Sequence, residues 1–154
     1  MLWNESVEAY LKSAYPCSRT VVPPMKAWHR GSIVHVSSMS AQGAFGGRGT
    51  PVARLPYAGA KAGMIGCTSQ LAKALGPCGI QVNAVMPGGR LTQPDARVAQ
   101  RYQGLAAEVQ PGMVASGLLG RPGRPEEATA VRLCLVSPAA SYCTGSLREV
   151  HGGR

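Results

Sequence analysis

The stretch Ser32-Ile33-Val34-His35-Val36-Ser37, entered from Arg30-Gly31 and followed by Ser38, is short, rich in β-branched residues and bounded by turn formers. That is the pattern of a strand. Its nearly continuous apolar character suits a parallel strand covered on both faces. Further along, the period changes. From Tyr57 to about Leu75 the pattern is helical, and Gly76-Pro77 supplies the stop. Ile80 to Val85 then reads as a second strand, ended by Pro87-Gly88. Strand, helix and strand in succession predict a parallel pair joined by a helical crossover, and so an α/β fold.

Working outward, Trp3 to about Val22 reads as a helix with Val7, Leu11 and Tyr15 on one side. Pro16 is expected to kink or break it, and Pro23-Pro24 to end it. Gly43 to Pro56 is a glycine- and proline-rich loop. In the following helix the small residues Gly59, Ala60, Gly63 and Gly66 would let another backbone come close. Val98, Tyr102, Leu105 and Val109 recur at helical spacing, with Arg97 and Arg101 left for solvent. Pro125-Glu126-Glu127 marks another helix start, because proline at the first position needs no donor and acids there favour the helix dipole. Its apolar side includes Ala128, Val131 and Leu135, and a last strand, Leu147 to Val150, precedes Gly152-Gly153. The sequence has no repeat.

A length of 154 residues with 45% hydrophobic content supports one domain with a real core rather than a disordered chain. No stretch is apolar for long enough to span a bilayer, and Met1-Leu-Trp-Asn-Glu-Ser6 has neither the basic nor the apolar region of an export signal. Cys17, Cys67, Cys78, Cys134 and Cys143 are an odd set without CxxC spacing. They read as reduced thiols of a cytoplasmic protein. The formal charge of +9 comes from scattered basic residues, so specific nucleic-acid binding is not expected. His29, His35 and His151 show no metal spacing and read as structural or solvated.

The chemistry is carried by Tyr57-Ala-Gly-Ala-Lys61. Residues at i and i+4 share a helix face, so the lysine ammonium stands beside the phenol, stabilises its phenolate form and makes it a usable proton donor and acceptor. A serine hydroxyl from Ser37-Ser38 can hold a carbonyl or alcohol oxygen. With Asn83-Ala-Val-Met-Pro87-Gly88, Arg121-Pro-Gly-Arg-Pro125-Glu126-Glu127 and Val150-His151-Gly152-Gly153 following in order, the chain resembles the short-chain dehydrogenase/reductase family over almost its whole length. Five ordered motifs on the expected elements make coincidence a poor account.

The resemblance implies Tyr57 as general acid/base, Lys61 as its partner and as a hydrogen-bond donor to the nicotinamide ribose, and Ser38 as the substrate-orienting hydroxyl, with Ser37 and Ser40 as rivals. Pro87 and Gly88 correspond to the segment that shields one face of nicotinamide, and Thr92 to a residue that bonds the carboxamide or a cofactor phosphate. The implied cofactor is NAD or NADP, and the implied substrate a small-molecule alcohol or ketone. A homo-oligomer is also implied. Gly43-Ala-Phe-Gly46-Gly47-Arg48-Gly49 fits neither phosphate-binding fingerprint and reads as a substrate-side loop, with Arg48 and Arg54 available to an acidic substrate.

The chain departs from the family pattern in three places. Ser38 and Tyr57 are further apart than usual, so the loop around Gly46 to Arg54 must bulge outward. The family's asparagine in the helix before the serine strand corresponds to Tyr10, which lacks an amide's paired donor and acceptor. The glycine-rich turn and acidic ribose-binding residue of the family's amino-terminal half have no counterpart in these residues. The resemblance therefore implies that residues 1–154 form the carboxy-terminal part of a single Rossmann-type domain, a partial doubly wound fold with parallel strands and flanking helices. Two functions follow from it: NAD(P)-dependent interconversion of a secondary alcohol and a ketone, or a noncatalytic association module that lacks cofactor binding.

Overall fold

A computed structural model describes residues 3–43, 54–89, 100 and 117–153. The chain begins with a short helix α1 (Trp3–Ser6), a π-helical segment (Val7–Lys12) and helix α2 (Ala14–Ala27). Strand β1 (Gly31–Val36) and a 3-10 turn (Met39–Gln42) come next. Helix α3 (Leu55–Leu75) leads through a second 3-10 turn (Gly76–Cys78) to strand β2 (Ile80–Pro87). Helix α4 (Pro125–Val136), a third 3-10 turn (Pro138–Ala140) and strand β3 (Leu147–Val150) complete the described elements. The expected helix over Val98 to Val109 lies outside them.

The three strands form one sheet in the order β1-β2-β3, with both pairs parallel. Alternation along the strands divides it into two covered faces. Ile33, Ile80 and Val82 pack with Val22 and Met25 of α2 and with Leu71, Ala72 and Leu75 of α3. Val34 and Val85 pack on the opposite side with Val131 and Leu135 of α4 and with Ala140. Helices on both faces of a parallel sheet are what the near-continuous apolar strands require. This is the partial Rossmann-like α/β fold that the motifs imply.

The amino-terminal helices differ from the sequence reading. The helix read over Trp3 to Val22 is interrupted at Ser13, between the π-helical segment and α2, and Pro16 follows as the third residue of α2, in a first turn whose amides have no intrahelical acceptor to lose. Pro23 and Pro24 lie inside α2, which runs on to Ala27. Their rings remove donors to the carbonyls of Arg19 and Thr20, but all four residues are exposed, so water can satisfy those carbonyls. Val22 and Met25, packed on the sheet, hold the helix in place across the interruption.

The glycines of α3 also act differently from one another. A Cβ on Gly59 would stand 3.2 Å from the Trp3 ring and one on Gly63 2.8 Å from Leu11 Cδ2, whereas one on Gly66 would meet nothing within 4 Å. The close neighbours are side chains of the amino-terminal helices rather than a backbone. Gly79 has φ +72°, and a Cβ there would run into the His29 carbonyl oxygen. Glycine is therefore required at the entry to β2.

His35 joins three elements. Buried on β1, it places Nδ1 2.9 Å from Thr68 Oγ1 of α3 and Nε2 3.2 Å from Ser18 Oγ of α2. Those hydroxyls lie 2.8 Å from the Met64 and Ala14 carbonyls, respectively, to which they can donate. Each hydroxyl has one hydrogen, so a neutral ring is fully bonded only if one of them turns its hydrogen from the helix to the ring. Burial holds the His35 pKa below its ordinary 6.5. As pH falls below 6.5 the unfolded chain therefore takes up the proton first. Stability should be full above that pH, decline as pH falls through the folded value, and level off below it. Urea midpoints measured across pH 7 to 5, roughly the titration range of a histidine, should show this decline, and His35→Phe should flatten it. An equally steep decline in the variant would place its origin elsewhere.

Candidate active site

Parallel pairing brings the carboxyl ends of the strands together. Val36 pairs with Val85, Pro87 with Val150, and the Ser37 amide donates to the Val85 carbonyl over 2.9 Å. The amino-terminal turns of α3 lie at the same end. Ser37 Oγ donates to the Lys61 carbonyl over 2.8 Å, and Lys61 Nζ donates back to the Val36 carbonyl over 2.6 Å. These reciprocal bonds lock the second turn of α3 to the end of β1. The 3-10 turn after Ser38 also packs against α3, so the long connection does not separate the two motifs. Residues 44–53 of that connection, including Arg48, lie outside the described residues.

Tyr57 and Lys61 share one face of α3, as their spacing predicts. Lys61 Nζ lies 5.8 Å from the centre of the Tyr57 ring. The Lys61 side chain is buried, and desolvation pushes its pKa below the usual lysine value. Tyr57 is half-buried at the helix start. Ser38 is also buried; its Oγ accepts the Ser40 amide over 3.1 Å and keeps its own hydrogen to donate. Ser37 has spent its hydrogen on α3, which favours Ser38 over Ser37 as a hydroxyl that can donate to another molecule.

Pro87 and Gly88 close β2 at this end, beside β3. The Gly88 amide donates to the Val150 carbonyl over 3.0 Å, and a Cβ on Gly88 would stand 2.5 Å from His151 Cβ. Glycine is thus required here for strand packing alone. Thr92 lies outside the described residues. Asn83 is structural: fully buried, it donates from Nδ2 to the Cys143 carbonyl over 2.8 Å and accepts the Ser146 amide at Oδ1 over 3.0 Å. It fixes the turn that feeds β3. Arg121 makes a bidentate pair with Glu127, whose Oε2 also accepts the Arg124 amide at the start of α4 over 2.7 Å. These bonds, with Arg121 first, hold the Glu127 carboxyl down to about 2.

Two groups at this end were not picked out as site residues by the sequence. His151 Nε2 lies 2.9 Å from Glu149 Oε2, and Gln42 Nε2 donates to Glu149 Oε1 over 3.3 Å, tying the turn after Ser38 to β3. The Glu149 pKa is lowered chiefly by His151 and then by Gln42. Tyr10, set aside as a poor replacement for an amide, stands against both Tyr57 and Lys61: its ring centre is 5.0 Å from that of Tyr57 and 5.1 Å from Lys61 Nζ. Among the described residues, no group of three His, Cys, Asp or Glu side chains is placed to hold a metal.

A family model described as enoyl-(acyl carrier protein) reductase matches residues 2–154. The chain belongs to the short-chain dehydrogenase/reductase family. It is 36% identical over 151 residues to the 3-oxoacyl-[acyl-carrier-protein] reductase FabG of Thermotoga maritima, covering 98% of this chain and 56% of that protein. A crystal structure of a 3-oxoacyl-[acyl-carrier protein] reductase from Brucella melitensis superposes with a TM-score of 0.83 at 33% identity, covering 98% of this chain and 52% of the other. Another reductase structure from that organism, with bound NAD, gives 0.77 at 32% identity over 98% of this chain and 51% of the other. The chain spans about half the length of the relatives it matches.

Proposed function

We propose that residues 1–154 are the carboxy-terminal part of one cytoplasmic, Rossmann-type oxidoreductase domain that interconverts a secondary alcohol and a ketone with NAD or NADP. The observation that carries this reading is the buried Lys61 ammonium, 5.8 Å from the Tyr57 ring at the carboxyl end of a parallel sheet. When bound, the nicotinamide supplies or accepts the hydride. The Tyr57 hydroxyl gives its proton to the carbonyl oxygen in reduction and takes the alcohol proton in oxidation. Lys61, whose charge favours the phenolate, has N–H groups beyond the one on Val36 to offer the nicotinamide ribose. Ser38 donates to the substrate oxygen. Pro87, Gly88 and Thr92 are the residues that would hold the nicotinamide. The 3-oxoacyl thioesters named for the relatives are the first substrates to test, and polyols the second.

The residues present fit the nicotinamide end of the cofactor only. The sequence contains no G-x-G-x-x-G turn to hold the pyrophosphate at a helix amino terminus. The 154-residue chain alone should therefore bind reduced cofactor weakly or not at all, and co-expression with the amino-terminal half of a relative should give both binding and turnover. Cofactor fluorescence and the absorbance of reduced nicotinamide report the two. Saturable binding by the chain alone at about micromolar concentrations would overturn this expectation and mean that these residues hold the pyrophosphate in another way. A discrete complex that neither binds cofactor nor turns over an alcohol or ketone would favour the association module, which the β1 edge left unpaired among the described residues also supports.

A further inference from the structure

Tyr10 sits in the π-helical segment Val7–Lys12, where the Ser13 amide reaches back to the Glu8 carbonyl over 3.1 Å. A π turn inserts an extra residue into the helical path and rotates the side chains around it. Here it accompanies a ring placed between two groups of the active site. The Tyr10 and Tyr57 rings meet at 88°, an edge-to-face pair. Lys61 Nζ lies over the Tyr10 ring at 5.1 Å, nearer than its 5.8 Å from Tyr57.

A buried ammonium with three N–H groups needs more than one carbonyl to replace its water. Lys61 has the Val36 carbonyl from β1 and the rings of Tyr57 and Tyr10. An aromatic face within about 6 Å of a cation attracts it electrostatically, more strongly where water is excluded. Tyr10 and Tyr57 are titratable side chains that face the Lys61 ammonium. We propose that Tyr10 is a positioning residue: its ring holds the Lys61 ammonium and steadies the Tyr57 ring, setting both in one geometry. This rests on the reading that Tyr57 and Lys61 carry the chemistry. An amide could hold water there; a ring holds the ammonium itself.

The test needs no turnover. Trace acetylation across pH, read by mass spectrometry, gives a titration midpoint for each of the four lysines, with Lys12, Lys26 and Lys73 as internal references. Tyr10→Phe keeps the ring and should keep the Lys61 midpoint. Tyr10→Leu keeps apolar cover but no π face, so the midpoint should fall and labelling near neutral pH should rise about three- to tenfold. Tyr10→Trp, with the strongest ring, should move the midpoint up. If the leucine variant unfolds, seen as loss of a cooperative urea transition, the Phe and Trp variants decide. A common midpoint for wild type, Phe and Trp overturns the proposal, as does a phenylalanine variant that moves with leucine. The outcome is separable from the catalytic reading. Normal turnover of a Tyr57→Phe enzyme would defeat that reading and leave the ring order standing, whereas a common midpoint beside a crippled Tyr57→Phe enzyme would defeat only the Tyr10 assignment.

Discussion

Tyr57→Phe, made in the cofactor-binding complex, is expected to lose about 10²- to 10⁴-fold in turnover, the usual range for removing a general acid or base. Cofactor affinity should stay nearly unchanged. The substitution deletes the proton carrier and keeps the ring, with its edge-to-face contact to Tyr10 and its place beside Lys61. Lys61→Ala should harm both quantities, because one ammonium is assigned to the phenolate and to the nicotinamide ribose. It should also disturb the fold locally, since the Val36 carbonyl loses its 2.6 Å partner. Steady-state kcat and the dissociation constant of reduced cofactor separate the two cases. Near-normal turnover of Tyr57→Phe on an accepted alcohol would show that the proton is carried elsewhere.

Much of this arrangement is readable from the chain because local and tertiary signals agree. Ile33 and Val34 point to opposite faces of β1 and both find helices, so a continuous apolar run meant a strand covered twice. The Tyr57 and Lys61 spacing gave their common face directly. Pro23 and Pro24 misled because proline rules describe an isolated helix, whereas packing of Val22 and Met25 decides this one. Tyr10 was located but not understood. Its value depends on the rotation of a π-helical segment and on two residues about fifty positions away, and no local pattern encodes either. Asn83 shows the reverse case: a residue within a motif-bearing strand end whose side chain is spent on the turn before β3.

The same sheet argues for self-association of the 154-residue chain expressed alone. β1 pairs only with β2 among the described residues, so its other edge presents backbone donors and acceptors. Apolar side chains lie nearby in the fold: Val36 at the end of β1 is 39% exposed, and Leu133 and Val136 of α4, the helix that packs on β1, are exposed as well. An open strand edge beside apolar surface recruits another strand. In the doubly wound family this edge is where the amino-terminal half would continue the sheet, so co-expression with that half of a relative should both restore solubility and complete the phosphate site. Val36→Lys, which puts a charge on the exposed end of the edge, should lessen association without complementation. Light scattering at tens of micromolar, roughly the range in which association-prone chains aggregate, should report large species for the chain alone and a discrete complex after co-expression. A monodisperse, cooperatively folding monomer would mean that the edge of β1 is already covered within the chain, and the association module would lose the feature that supports it.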